Sequence, residues 1–300
     1  MKKRTTAKRF FTSLLLASVF FWGYTLMTGT VASAAAMPAA PGTSVSKNDK
    51  SEVDYSNAKD GYFMVKCLKK TTKEVRVAVT GPSGTQYKYS VRSNNTYEVF
   101  PLSDGNGNYS IMVLENVDGS KFSAIGSAKF DVKLVNDKAP FILPNQYVNY
   151  TTDSKTVKKA AELITGKVTV LDKLTAVYTY VINNITYDDQ KAATVQSSYL
   201  PDVDAILASG KGICFDYAAV MTAMLRSQGI PTKLVVGYAG EVYHAWINVY
   251  SEQDGWVDGA YFDGKTWQLM DPTYISTAKG SDAVKQFIGD GKNYSAKYYY

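Results

Sequence analysis

The feature that most restricts how this chain can fold is a change of period near residue 139. Between Gly61 and Val135 apolar residues alternate in short runs, GYFMVKCL, EVRVAVT, YKYSVR, TYEVFPL, NYSIMVLENV and SAKFDVKLV, separated by GPSG, RSNN, SDGNGN and VDGS. Alternation places successive side chains on opposite faces of a strand, and the intervening turn residues fold strands back as hairpins. A small all-β, sandwich-like domain is therefore expected over 58–138. DGNGN lacks the later acidic ligands of a calcium loop, so a tight turn is expected there.

Beyond Tyr150 the step lengthens. SKTVKKAAELITG and LDKLTAVYTYVINNI space their apolar residues by three and four, which predicts helices. Asp153 or Ser154 is placed to cap the first, and Asp172 falls in the first turn of the second. Residues 139–170 are read as a linker and first helix. VDAILASG predicts a short helix, and ICFDYAAVMTAMLRSQG a longer one that is apolar over most of its surface and stops at Gly229. Three strands follow, TKLVVGYAG, VYHAWINVY and TWQLMD, with SEQDGWVDGAYFDGK as a long hairpin between the second and third. A helix packed on an antiparallel sheet is an α+β arrangement, expected over 171–300.

The N-terminus is expected to be a signal peptide at 1–34. Lys2, Lys3, Arg4, Lys8 and Arg9 precede an apolar stretch from Phe10 to Val31, and Ala32-Ser33-Ala34 fits a small-x-small cleavage site. An uncleaved anchor is the alternative. From Ala35 to about Asn57 the chain is rich in Ala, Pro, Ser, Lys and Asn without periodicity, which predicts a flexible tether at 35–57. The leader holds five of the 33 Lys and Arg and none of the 27 Asp and Glu, so 28 basic residues face 27 acidic ones beyond it, a net charge of +1. That balance gives no support for nucleic-acid binding. After the leader no stretch is long enough to span a bilayer as a helix. Secretion, to the medium or the cell wall, is the expected destination.

Chemistry is expected at Cys214. Gly210-Lys211-Gly212 leads straight into the long helix and puts this cysteine in its first turn, where unpaired N–H groups and the helix dipole favour a thiolate. The only other cysteine is Cys67, and in an oxidising compartment a Cys67–Cys214 bridge is the competing expectation. His244 is the only histidine. On an extended VYHAWINVY it shares a face with Trp246, Asn248 and Tyr250, while Ala245, Ile247 and Val249 face the core. A thiol nucleophile needs an imidazole oriented by a third group. Asp271, sharing a face with Trp267 and Leu269 and followed by Pro272, is the first choice from a neighbouring antiparallel strand. Asp216 is the second choice, though it is expected to serve the helix dipole; Asp258 and Asp263 read as loop residues. One histidine and two distant cysteines do not make a zinc site, and no phosphate loop is present, so no metal or cofactor is expected.

GKGICFDYAAVMTAMLRSQGIPTKLVVGY, YHAWINVY and WQLMDPTY together resemble the three motif blocks of the transglutaminase-like superfamily, in the branch found in exported bacterial proteins. The resemblance covers about 171–274. It implies a papain-like core in which Cys214 is the nucleophile, His244 the general base and Asp271 the orienting acid. ITYDD at 185–189 resembles the segment before the cysteine helix, which makes Tyr187 a candidate cleft or oxyanion-side donor, with Trp246 and Asn248 as further cleft candidates. The 251–265 connection, with Trp256 and Tyr261, departs from the family pattern and reads either as a lid or as a decorated hairpin. The expected function is cysteine-dependent acyl transfer, or amide or peptide hydrolysis, on protein or cell-wall peptide substrates. The alternative is a non-enzymatic surface module in which the β domain binds and the second domain is a spacer.

Overall fold

The structure is a computed structural model that describes residues 37–91, 95–258, 260–262, 267–269, 271–273, 276 and 292–300. The expected signal peptide at 1–34 and the loop residue Asp263 lie outside these residues, as do the side chains of Asp258 and Tyr261. Mixed helix and sheet follow an all-β region, and antiparallel pairing dominates both parts.

The all-β region contains β1 (Val45–Lys47), β2 (Ser51–Asp54), β3 (Tyr62–Cys67), β4 (Val75–Thr80), β5 (Gln86–Val91), β6 (Glu98–Pro101), β7 (Gly107–Asp118) and β8 (Lys121–Val132). Two four-stranded sheets, ordered β1-β2-β3-β6 and β5-β4-β7-β8, share one core. The alternation does its work most plainly in β4 and β7, where Val75, Val77, Val79, Ile111 and Val113 are all buried. Phe63 and Phe100 stack at 5.4 Å, and Tyr55 lies on Phe130 at 4.6 Å. Cys67 is buried in β3 and its thiol reaches only the Lys69 carbonyl at 3.3 Å, so burial pushes its pKa up. Cys67 and Cys214 are both free thiols, and the alternative bridge is absent.

The expected tether at 35–57 is corrected here, because β1 and β2 lie inside it. β2 pairs with β3 from Ser51↔Cys67 to Asp54↔Met64, and Val53 is buried. The Asp54 carboxylate accepts the Gly42 and Ser56 N–H groups at 2.8 and 2.9 Å. Strands of three and four residues are too short to display alternation, and their stability comes from a ladder to a partner that local composition does not reveal. The sandwich therefore starts at Val45 rather than at residue 58.

The mixed region contains α1 (Lys155–Ile164), α2 (Val170–Asn184), β9 (Thr186–Tyr187), α3 (Asp189–Thr194), α4 (Val203–Ser209), β10 (Lys211–Gly212), α5 (Cys214–Arg226), β11 (Thr232–Ala239), β12 (Val242–Ser251), β13 (Gly255–Asp258), β14 (Ala260–Phe262), β15 (Trp267–Leu269) and β16 (Tyr294–Tyr299). Thr169 and Asp172 close a capping box at α2. Ser154 holds the N-cap position of α1 without a side-chain cap bond; Asp204 of α4 supplies it, accepting the Lys155 and Thr156 N–H groups at 3.0 and 2.9 Å. No apolar face announces α3, which buries none of its residues.

α5 is the axis of this region. From Asp216 to Arg226 every residue is buried. Arg226 donates to the carbonyls of Thr232 at 2.7 Å and Leu143 at 2.8 Å, and to that of Tyr300, so one guanidinium ties α5 to the linker and the last strand. α5 shares its core with Ala245, Ile247 and Val249 of β12, the strand face expected to be apolar. The sheet order is β13-β12-β11-β16. TWQLMD does not neighbour β12, as the sequence suggested; β15 pairs with β14 in a separate two-stranded sheet. The reason is that β13 already fills that edge, pairing from Asn248↔Asp258 to Ser251↔Gly255.

Candidate active site

Helix α5 begins where four short segments meet. Gly210 ends α4 with φ of 62°, a left-handed conformation that glycine adopts without cost. β10 then pairs in parallel with β9, setting Gly212 opposite Tyr187. A Cβ on Gly212 would lie 2.7 Å from that of Asp216, so the approach to the helix has room only for glycine. The Asp216 carboxylate turns back and accepts the Ile213 N–H at 2.9 Å. Lys191 Nζ meets the same carboxylate at 2.5 Å, and the Tyr199 hydroxyl donates to it at 2.6 Å. Asp216 is thus a buried cap that pins the α3 segment to the cysteine helix, in keeping with a dipole role rather than with an orienting acid.

Cys214 follows in the first turn, partly exposed. His244 lies on β12 and is 5 % exposed. Its Nε2–H donates to Asp271 Oδ2 at 2.5 Å, and Cys214 lies close enough to the ring to act on its protonation. Asp271 has no exposed surface; Oδ1 accepts the Thr273 N–H at 3.0 Å, and Oδ2 also accepts the Tyr294 hydroxyl at 2.9 Å. Burial works against a charged imidazole, but the bond to Asp271 and the influence of Cys214 outweigh it and push His244 up to about 10. Asp271 reaches the ring from just beyond β15, not from a strand paired to β12.

The three expected cleft residues are placed differently from one another. Tyr187 is half-buried on β9, two positions upstream of Cys214 across the pairing. Trp246 is buried and lies near-parallel to the His244 ring at 6.3 Å, supporting it from behind. Asn248 is buried too, but four residues along an extended strand carry it about 13 Å from His244, toward Lys233 and Asp258. Trp256 of the 251–265 connection rests on Phe141 at 5.3 Å and under Lys233 at 4.0 Å, while residues 259 and 263–266 lie outside the described residues. Tyr294 was not anticipated: it sits in NYSAKYYY, where nothing local marks one tyrosine from the rest. Among the described residues no group of three or more His, Cys, Asp or Glu is arranged to hold a metal ion.

The family profile described as "Transglutaminase-like superfamily" matches residues 157–272, which brings most of α1 into the domain rather than into a linker. The uncharacterized protein YebA of Bacillus subtilis is 30% identical over 107 residues, 29% of this chain and 14% of YebA. The protein-glutamine gamma-glutamyltransferase of Pseudomonas aeruginosa is 25% identical over 108 residues, 31% of this chain and 14% of that enzyme. The matched stretch thus spans about one seventh of each of these relatives. A Cytophaga hutchinsonii crystal structure, provisionally titled a cysteine protease, has 17% identity and a TM-score of 0.39 over 85% of this chain and 78% of its own. Residues 157–272 thus match a transglutaminase-like domain.

Proposed function

We propose that the chain is an exported, cysteine-dependent acyl transferase or amide hydrolase acting on protein or peptide substrates. The observation that carries this reading is His244 bonded at 2.5 Å to a solvent-free Asp271, with Cys214 in the first turn of α5 acting on the same ring. A scaffold has no need to align a helix-mouth thiol, an imidazole and a carboxylate in that order. Export rests on the leader read in residues 1–34.

In this mechanism His244 accepts the Cys214 proton, and Asp271 fixes the tautomer and stabilises the imidazolium. The thiolate attacks an amide carbonyl. Backbone N–H groups in the first turn of α5 receive the oxyanion, with Tyr187 on the flanking strand as the candidate second donor. As the C–N bond breaks, the imidazolium gives its proton to the departing nitrogen and leaves a thioester on Cys214. Neutral His244 then takes a proton from water or from an amine, whose attack breaks the C–S bond. Water yields hydrolysis and an amine yields transfer. The glutamine side-chain amide named for the Pseudomonas relative is the first acyl donor to try.

Dansylcadaverine incorporation into casein tests transfer, and release of ammonia or peptide fragments tests hydrolysis, each against Cys214→Ala. Intact-mass detection of an acyl adduct on Cys214 after incubation with extracts of the organism's surface would identify the donor. A thiol that alkylates with iodoacetamide no faster than an ordinary cysteine, with no adduct and no turnover, sinks the enzyme reading in favour of a binding module.

A further inference from the structure

β16 reaches the site from far along the chain. It pairs with β11 on the side away from β12, with Gly237 opposite Ala296 and a shift of register between Val236 and Gly237. On its other side Gly237 is opposite His244. One residue therefore stands between the histidine strand and β16, and it is a glycine for a steric reason. A Cβ there would overlap the Ser295 carbonyl oxygen and lie 2.9 Å from both Ala296 Cα and Trp246 Cη2. Two of these three obstacles are backbone, so the strand itself would have to move.

Close approach of β16 has a chemical result. The Tyr294 ring meets Trp246 edge-on at 5.2 Å, the His244 ring lies 6.3 Å away, and the hydroxyl donates to Asp271 Oδ2 at 2.9 Å. That oxygen is the one that accepts from His244. With Oδ1 held by the Thr273 N–H, rotation of the carboxylate would break bonds at both oxygens.

We infer that Tyr294 is a positioning residue of this site, holding the Asp271 carboxylate against His244, and that Gly237 is glycine so that β16 can deliver it. The kinetic part of this inference rests on the acyl-transfer reading; the geometric part stands without it. Titratable groups that act on the ring or on its carboxylate include Cys214 from α5, Asp271 beyond β15 and Tyr294 from β16.

Because the chain has a single histidine, selective ¹⁵N-histidine labelling reports His244 alone. In Tyr294→Phe, which keeps the ring and deletes one hydroxyl, the His244 titration midpoint should move by about half a pH unit or more. It moves upward where the shared oxygen simply becomes more basic, and downward where the carboxylate swings away; either shift supports the assignment. On any accepted substrate, kcat should fall several-fold with KM little changed, and the alkaline limb of the rate profile should follow the titration. Gly237→Ala should move the same signal, since it displaces the strand that carries the hydroxyl. A folded Tyr294→Phe protein with an unshifted midpoint overturns the inference, whether or not the wild-type protein turns over substrate. A shifted midpoint in a protein without detectable turnover or Cys214 acylation would count against the enzyme reading alone.

Discussion

At Asp271, among the described residues, the His244 ring, the Tyr294 hydroxyl and the Thr273 N–H all donate to a carboxylate that solvent does not reach. Replacing it with Asn keeps the shape but offers an amide that can stabilise the wrong tautomer. Asp271→Asn should therefore lower turnover by roughly 10³–10⁴-fold with an unchanged circular dichroism spectrum. A full-rate variant would remove Asp271 from the catalytic chain. The same bond has a signature in stability. The folded imidazole is raised above its ordinary 6.5 to about 10, so its contribution is fully present below about pH 6.5 and is lost as pH rises through about 10. Urea unfolding of wild type and Asp271→Asn should therefore differ most near pH 6, and the gap should narrow by pH 10.5. The thiols offer a third check at this scale. Buried Cys67, its pKa raised, should stay unmodified by iodoacetamide in the folded protein while Cys214 reacts.

Among the elements, α5 depends on a capping device its own sequence only half reveals. Asp216 serves the Ile213 N–H, Lys191 and Tyr199 at once, from a position with no solvent exposure. Asp216→Ala removes the cap and leaves Lys191 to be rehydrated, since that side chain is already 26% exposed. A loss of roughly 2–4 kcal/mol is expected by urea denaturation, with slower alkylation of Cys214 as the helix mouth loosens. Much of this scale was legible in the sequence. Period gave the longer strands β3, β4, β5, β7, β8, β11 and β12 and helices α1, α2 and α5, because each is long enough to show a repeat. What escaped was short or non-local: β1 and β2, tied to the sheet through the β2–β3 ladder; β9, β10 and β16; the cap of α1, which comes from Asp204; and α3, which has no apolar face. The site divides the same way. Cys214 and His244 announced themselves by rarity and local setting, and Asp271 by its motif block, whereas Tyr294 is visible only once β16 is laid beside Gly237.

For the whole molecule, the join between the two regions is aromatic. Phe215, the neighbour of Cys214, packs on Tyr147 at 5.4 Å; Tyr147 lies on Tyr89 of the sandwich at 5.7 Å and on Tyr300 at 4.6 Å. Gln146 Nε2 donates to the Ser90 carbonyl and to Glu98 at 3.0 Å, fastening the linker to the same strands. Buried residues of sandwich and helices form one continuous core. Deleting residues 37–57 would strip two strands from a four-stranded sheet and bare the β3 edge. Such a protein should aggregate on purification, whereas removal of a true tether would be silent; light scattering distinguishes the two.

The ring-to-ring seam from Tyr89 to Phe215 also bears on how this molecule comes apart. Its heat-capacity trace should show a single endotherm, because neither half can melt without baring the other's aromatic flank. Dividing such a protein at residue 139 would yield two sticky fragments in place of a catalyst and a detachable adaptor.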